Sequence, residues 1–203
     1  MTHSSTQKTN AFFDSLYSQH GKTVQSLGWS ENGQNRRFEE IESHLPAEFS
    51  NLLDVGCGFG DLNTYLRSKR PQLTFSYTGY DINQNFVDAA PFAKNGAIEL
   101  RDFIISPPAE GSFDVVVSVG AFNVAVENNI DLIQSAIRLM HQSAKNMALI
   151  SAQSLYADDH VKHNPDMFFY DPAELFRFAK KITRNVDIIH SYMPHDFILK
   201  MYK

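Results

Sequence analysis

The sequence feature that most constrains the fold is the stretch Leu-Leu-Asp-Val-Gly-Cys-Gly-Phe-Gly at residues 52–60. The apolar run at residues 51–55 indicates a buried strand, and residues 61–69 show a helical pattern. Glycines between a strand and a helix let the backbone turn sharply and approach a ligand closely. We therefore expect a strand–loop–helix unit that binds a ligand at the loop. The alternative is a tight turn that binds nothing.

Strand and helix patterns alternate along most of the chain, which predicts an α/β fold with a mostly parallel sheet and helices on both of its faces. The predicted strands are 51–55, 74–80, 97–100, 113–119, 147–151, 186–191 and 197–202. The predicted helices are two between residues 11 and 45, followed by 61–69, 83–94, 129–142 and 172–181, whereas residues 1–10 are expected to be frayed. We expect one structural domain, with residues 1–46 as a helical N-terminal cap and residues 47–203 as the core.

The spacing of the glycines distinguishes between classes of cofactor. Gly56, Gly58 and Gly60 form G-x-G-x-G, whereas a dinucleotide-binding loop has G-x-G-x-x-G. Asp54 would repel a pyrophosphate, and its charge suits a cationic ligand. No Gly-Lys-Ser/Thr follows, so the loop is not a phosphate-binding P-loop. The loop therefore favours a cofactor that carries positive charge.

Residues 54–60 closely resemble motif I of the class I S-adenosylmethionine-dependent methyltransferases. Three later segments also fit this family: Gly-Tyr-Asp-Ile at 79–82, Arg-Asp-Phe at 101–103 and the apolar run at 113–120. The resemblance covers about residues 50–150. It implies a Rossmann-like domain with a seven-stranded sheet whose last strand is antiparallel. It also implies S-adenosyl-L-methionine as the cofactor and methyl transfer as the activity.

The resemblance assigns cofactor roles to individual residues. Asp54 would lie near the amino group of the cofactor, and the glycines would line its methionine part. Asp81 would accept the ribose hydroxyls, or cap the following helix, or do both. Arg37 would clamp the cofactor carboxylate, and the alternative is a solvated surface arginine. The expected cofactor-binding residues are Asp54, Gly56, Gly58, Gly60, Asp81, Ile82, Asp102, Phe103, Val119, Gly120 and Arg37.

The acceptor side is less well defined by the sequence. Asn123, His163 and His195 are weak candidates for a catalytic group, and the use of a general base stays open. The segment 152–171 is rich in aromatic residues and longer than most connections, so we expect a lid that forms the acceptor pocket with the N-terminal helices. Its histidines and aspartates match no metal-binding motif, and we expect no metal.

Composition restricts the choice of substrate. The net charge of −5 argues against a dedicated nucleic-acid-binding protein and favours a small-molecule acceptor. Amino-methylating nucleic-acid enzymes carry Asn-Pro-Pro-Tyr or a related motif, whereas residues 119–123 read Val-Gly-Ala-Phe-Asn. A regulatory module that binds the cofactor without turnover and a protein or nucleic-acid methyltransferase remain as alternatives. A single cysteine, a polar N-terminus and short apolar runs predict a cytoplasmic protein without a membrane span. The oligomeric state stays open.

Overall fold

A seven-stranded sheet forms the centre of the structure, a computed structural model that describes residues 3–91, 96–162 and 164–203. The strands are β1 (Asn51–Val55), β2 (Ser76–Asp81), β3 (Ile98–Leu100), β4 (Phe113–Val119), β5 (Ala144–Gln153), β6 (Val186–Met193) and β7 (Asp196–Tyr202). Their order is β3-β2-β1-β4-β5-β7-β6. β7 is antiparallel to both of its neighbours, while the other pairs are parallel. The predicted seven-stranded mixed sheet is confirmed.

Helices cover both faces of this sheet, as the alternating pattern predicts. They are α1 (His3–His20), α2 (Glu31–His44), α3 (Asp61–Lys69), α4 (Gln84–Ala89), α5 (Asn129–Ser143), α6 (Asp159–Lys162) and α7 (Pro172–Ala179), with a short 3₁₀ helix at Val24–Leu27. In the described ranges, none of these helices is long and apolar enough to cross a membrane.

Two apolar cores lie on opposite faces of the sheet. α5 and α7 build one core, in which Ile133 and Leu175 are buried. α2 and α3 build the other, with Ile41 and Leu66 as fully buried members. The strands between them are apolar on both faces, and Val115–Val117 have no exposed surface. The sheet is therefore held between two apolar layers, which leaves its strand ends as the place for polar chemistry.

The N-terminal helices differ in part from the sequence prediction. α1 begins at His3, so the prediction that residues 1–10 are frayed is wrong for the described part of that segment. The helix is ordered because its inner face packs on the core, where the rings of Phe13 and Phe86 lie 5.6 Å apart. α2 adds Phe38 and Ile41 to the same core as β1. The division of the chain at residue 46 stays a prediction.

The fourth helix is shorter than predicted. α4 ends at Ala89, and Ala90 is extended, with φ −67° and ψ 133°. Pro91 explains this end, because a proline disfavours helical backbone at the residue before it. Residues 92–95, the remainder of the predicted helix, lie outside the described part of the chain.

Candidate active site

A cavity lies at the carboxyl ends of β1, β2 and β4, where the order of the strands reverses on either side of β1. α1, the 3₁₀ helix and the start of α2 close it from the opposite side. Its lining comprises Thr9, Phe13, Leu27, Trp29, Gln34, Phe38, Asp54, Val55, Gly56, Cys57, Gly58, Asp61, Leu62, Tyr80, Asp81, Ile82, Phe86, Arg101, Asp102, Phe103, Ile104, Val119, Gly120, Ala121 and Phe122. Nine of the eleven residues expected to bind the cofactor are among them.

The glycine loop forms the floor of this cavity. Gly56 has φ +73°, and a Cβ on it would lie 2.2 Å from the Cβ of Ala121. Gly58 has φ +56°, and a Cβ there would lie 2.8 Å from Cδ2 of Leu27. Both positions therefore require glycine for conformation and for space. Gly60 has φ +78° as the N-cap of α3 and lies outside the lining, so its role is in the turn.

Asp81 ties the end of β2 to this loop. Its Oδ2 accepts a hydrogen bond from the backbone N–H of Gly58 and its Oδ1 one from that of Asn83, each over 2.8 Å. The N-cap of α4 is Asn83, whose side chain accepts a bond from the backbone N–H of Phe86. The alternative in which Asp81 caps that helix is therefore wrong. Burial raises the pKa of Asp81, although these backbone donors offset part of the rise.

Asp54 lies at the end of β1 as a second buried carboxyl group of the cavity. Burial raises its pKa to about 7, and the nearby charges of Asp81 and Asp61 act in the same direction. The hydroxyl of Tyr77 lowers that pKa by donating a hydrogen bond over 2.7 Å. A cationic ligand would relieve the repulsion among these three carboxyl groups. The site thus favours positive charge, as the acidic residue beside the glycine loop predicts.

The residues after β3 form a wall of the cavity together with Tyr80 of β2. Their polar side chains form hydrogen bonds within the protein. The guanidinium of Arg101 lies 4.5 Å from the ring centroid of Tyr80 and donates to its hydroxyl over 3.0 Å. Oδ1 of Asp102 accepts from the backbone N–H of Ile104 over 2.9 Å, and its Oδ2 accepts from the hydroxyl of Thr6 over 3.2 Å. The carboxylate of Asp102 therefore orders its own loop, and its expected role in binding the cofactor stays a prediction.

Another wall of the cavity lies at the end of β4, beside the N-terminal helices. Gly120 has φ +69°, and a Cβ there would lie 2.9 Å from Cζ2 of Trp29. The indole therefore packs directly on the backbone of this glycine. Val119 and Phe122, which flank the turn, are each 5% exposed. This side of the cavity is apolar.

Arg37 is not at the cavity. It is 4% exposed, and its Nη2 lies 2.8 Å from Oδ2 of Asp196. Its Nε donates to the same oxygen over 2.9 Å, and its Nη1 donates to the carbonyl of Gly33 over 3.2 Å. The alternative of a solvated surface arginine is wrong, because α2 packs this face against the β6–β7 hairpin. The expected clamp on the cofactor carboxylate has no support either, since Asp196 already engages the guanidinium.

Two of the three candidate catalytic residues, Asn123 and His195, lie in the described part of the chain, and neither lines the cavity. Asn123 is buried outside the cavity lining, and its Oδ1 accepts from the backbone N–H of Gln153 over 3.0 Å. His195 lies in the turn between β6 and β7, where burial and the charge of Arg37 lower its pKa. His163 lies outside the described residues. A catalytic role for any of them stays a prediction.

The aromatic residues of the expected lid do not line the cavity. Tyr156 is 63% exposed and contacts the ring of His190. The ring of Phe168 lies 4.9 Å from that of Tyr170 and packs on the α5–α7 core. Across the described ranges, no three histidine, cysteine, aspartate or glutamate side chains form a metal-like cluster.

The sequence analysis missed part of the lining contributed by α1 and by the ends of β2 and β3. Thr9 and Phe13 stand four residues apart and so share one face of α1. That spacing is visible in the sequence, but it does not show what the helix faces. Tyr80 and Arg101 belong to the segments 79–82 and 101–103, but the resemblance assigned no role to either of them.

Comparisons with known proteins agree with this geometry. Residues 53–150 match the family model described as a methyltransferase domain. A search of the curated proteins finds no match.

Solved structures share the fold at low sequence identity. A SAM-dependent methyltransferase from Archaeoglobus fulgidus superposes with a TM-score of 0.67 at 13% identity, over 86% of this chain and 95% of that one. A TehB-like SAM-dependent methyltransferase from Corynebacterium glutamicum has a TM-score of 0.62 at 16% identity, over 95% and 98%. A Haemonchus contortus phosphoethanolamine N-methyltransferase, bound to phosphomonomethylethanolamine and S-adenosylhomocysteine, has a TM-score of 0.64 at 15% identity, over 87% and 45%.

Proposed function

We propose that this class I S-adenosylmethionine-dependent methyltransferase transfers the methyl group of its cofactor to a small-molecule acceptor. The observation that carries the proposal is the cavity at the end of β4, which joins an acidic glycine-loop floor to an apolar wall. A polar, charged half suits a cofactor with ammonium and sulfonium groups, and an apolar half suits a reacting carbon and its acceptor.

The residues on the cofactor half fit S-adenosyl-L-methionine. Gly56 and Gly58 line the cavity without side chains that would cover their backbone, which allows a ligand to approach it. Asp54 would face the ammonium group, because its carboxyl group is buried among other acidic groups. Asp81 would accept the ribose hydroxyls, as acidic residues at the end of this strand do in related nucleotide sites. The bound cofactor supplies an electrophilic methyl group on a sulfonium centre.

The apolar half would orient the acceptor and exclude water. Trp29 packs on the backbone of Gly120, and Val119 and Phe122 line the cavity beside it where β4 ends. Holding two reactants in line near each other supplies much of the rate gain in such transfers, about 7–11 kcal/mol in well-oriented intramolecular cases. The side chains of Trp29, Phe122 and Val119 carry no acid–base group, so this apolar half would act through position and exclusion of water.

The proposed acceptor pocket therefore rests on the N-terminal helices rather than on the aromatic residues of segment 152–171. Trp29 lines the cavity, whereas Tyr156 and Phe168 do not. The net charge of −5 supports a small acceptor over a nucleic acid.

Turnover of S-adenosylmethionine to S-adenosylhomocysteine against a panel of small metabolites tests the proposal. We expect turnover with at least one metabolite, and Trp29→Ala should lower it while the affinity for S-adenosylhomocysteine stays within about threefold. Tyr156→Ala is the matched control and should leave turnover unchanged. Cofactor binding without turnover on any acceptor would favour a regulatory module. Turnover on protein or RNA alone would favour a macromolecular substrate.

A further inference from the structure

A buried ion pair joins the N-terminal helices to the C-terminal hairpin. Nε and Nη2 of Arg37 on α2 lie 2.9 Å and 2.8 Å from the same oxygen, Oδ2 of Asp196, at the start of β7. The other carboxylate oxygen, Oδ1, accepts a hydrogen bond from the hydroxyl of Tyr192 on β6. The Asp196 side chain has no exposed surface, and that of Arg37 is 5% exposed. A charge pair so deeply buried fixes the relative position of the elements that carry it.

The same guanidinium supports the wall of the cavity. The Cζ atom of Arg37 lies 5.2 Å from the ring centroid of Trp29, within the range of a cation–π contact. The far edge of the indole, at Cζ2, packs on the backbone of Gly120. Trp29 is thus held between Arg37 and the end of β4. The chain of contacts runs from the hairpin through Asp196 and Arg37 to the indole.

We propose that Arg37 and Asp196 are positioning residues that hold Trp29 over Gly120 and so determine which acceptors can reach the end of β4. This inference rests on the proposed function, because the acceptor is assigned to that wall. Arg37 is suited to this role because a planar guanidinium can bind a carboxylate along its edge while its face lies on an aromatic ring. A lysine in its place would keep the positive charge but lose the flat surface.

The ion pair does not touch the acidic floor of the cavity. Asp54 is hydrogen-bonded to Tyr77, and Asp81 is bonded to the backbone of Gly58 and Asn83. Loss of the ion pair should therefore alter the acceptor wall while the cofactor half keeps its own contacts.

The sequence provides a direct probe, because Trp29 is its single tryptophan. It also provides a matched control: a second ion pair fastens α2 at its other end, where Nε of Arg70 lies 2.6 Å from Oε1 of Glu42. Asp196→Asn and Glu42→Gln each remove one carboxylate from an ion pair that fastens α2. Only the first of these pairs contacts the indole.

The experiment measures the emission of Trp29 and its quenching by acrylamide in the whole protein, and titrates each variant with S-adenosylhomocysteine. In Asp196→Asn and in Arg37→Lys we expect a red-shifted emission and stronger quenching, because the indole loses its support. The affinity for S-adenosylhomocysteine should stay within about threefold of the wild type. In Glu42→Gln neither emission nor quenching should change.

Unchanged emission in both test variants, or an equal change in Glu42→Gln, would overturn the proposal. If Asp196→Asn does not fold, Arg37→Lys decides, because it keeps a cation beside Asp196. Failure of the proposed function would look different, since the wild-type protein would then turn over S-adenosylmethionine with no small-molecule acceptor, whatever the emission of Trp29 in the variants.

Discussion

The hydroxyl of Tyr77 donates a hydrogen bond to Oδ2 of Asp54 over 2.7 Å, and both side chains are buried. Tyr77 lies on β2 and Asp54 on β1, so the bond joins the two strands just below the glycine loop. It stabilises the ionised form of a carboxyl group whose pKa burial raises to about 7. The charge of Asp54 therefore changes near neutral pH, and the first three predictions follow from that.

The affinity for S-adenosylhomocysteine should rise from about pH 6 to about pH 8. The ammonium group of the ligand favours ionised Asp54, which is partly protonated in the ligand-free protein at the lower pH. Binding near pH 6 should therefore release a proton. Calorimetry in two buffers with different heats of ionisation measures that release. A binding enthalpy that does not depend on the buffer would contradict the prediction.

The contribution of Asp54 to the stability of the ligand-free protein should fall as the pH rises, whereas its contribution to binding rises. The pKa of Asp54 in the folded state is about 7, above the ordinary aspartate value of 3.8, so the folded state binds the proton more tightly than the unfolded state. This contribution is fully present below about pH 4 and is lost as the pH rises through about 7. Asp54→Asn should therefore raise the Tm at pH 8 by several degrees. The same variant should weaken binding of S-adenosylhomocysteine. Thermal melts at several pH values measure the first effect, and no gain in Tm at pH 8 would argue against it.

Tyr77→Phe should raise the pKa of Asp54 further, because the variant removes a donor to the carboxylate. A hydrogen bond to a charged group contributes about 1.5–3 kcal/mol, so binding of S-adenosylhomocysteine at pH 7 should weaken about tenfold or more. Part of the loss should be recovered at pH 8. Tyr202→Phe serves as the control, because it removes a hydroxyl that bonds to the exposed Asp187. An equal loss at both pH values would mean that Tyr77 acts by packing alone.

Asp81→Ala should weaken binding of S-adenosylhomocysteine about 100-fold or more, since two hydrogen bonds to a carboxylate contribute about 1.5–3 kcal/mol each. Asp88→Asn is the matched control, because Asp88 is exposed on α4, and its Oδ1 accepts from Gln84 away from the cavity. Titration calorimetry measures both variants. Equal affinities in Asp81→Ala and the wild type would contradict the proposal that Asp81 binds the ribose of the cofactor.

Gly56→Ala should abolish cofactor binding and lower stability. The new Cβ would lie 2.2 Å from that of Ala121, and the backbone has φ +73°. Gly111→Ala separates the two causes, because φ there is +62° while the nearest atom lies 3.8 Å away. The left-handed backbone alone costs roughly 1–2 kcal/mol, so Gly111→Ala should lower the Tm modestly and Gly56→Ala more. Equal melting temperatures would show that the contact with Ala121 relaxes freely.

The sequence predicted most strands because their apolar runs do not depend on their neighbours. Residues 113–119 match β4, and residues 51–55 match β1. β5 begins at Ala144 rather than at 147, because its first residues extend beyond the apolar run. At the site, Asp54, Gly56 and Gly58 near β1 and Asp81 at the end of β2 line the cavity, since one short segment fixes the position of each of them.

What the sequence determined by itself was the order of strands and helices and the glycine loop with its acidic neighbour, because these depend on local backbone conformation and on periodic burial. Only the tertiary structure decided which distant side chains meet. It paired Arg37 with Asp196, 159 positions apart, and placed Trp29 on Gly120. It also turned Phe168 into the core rather than towards the cavity. These contacts depend on which helix covers which strand end. The sequence of one segment does not show which surface of another segment will pack against it.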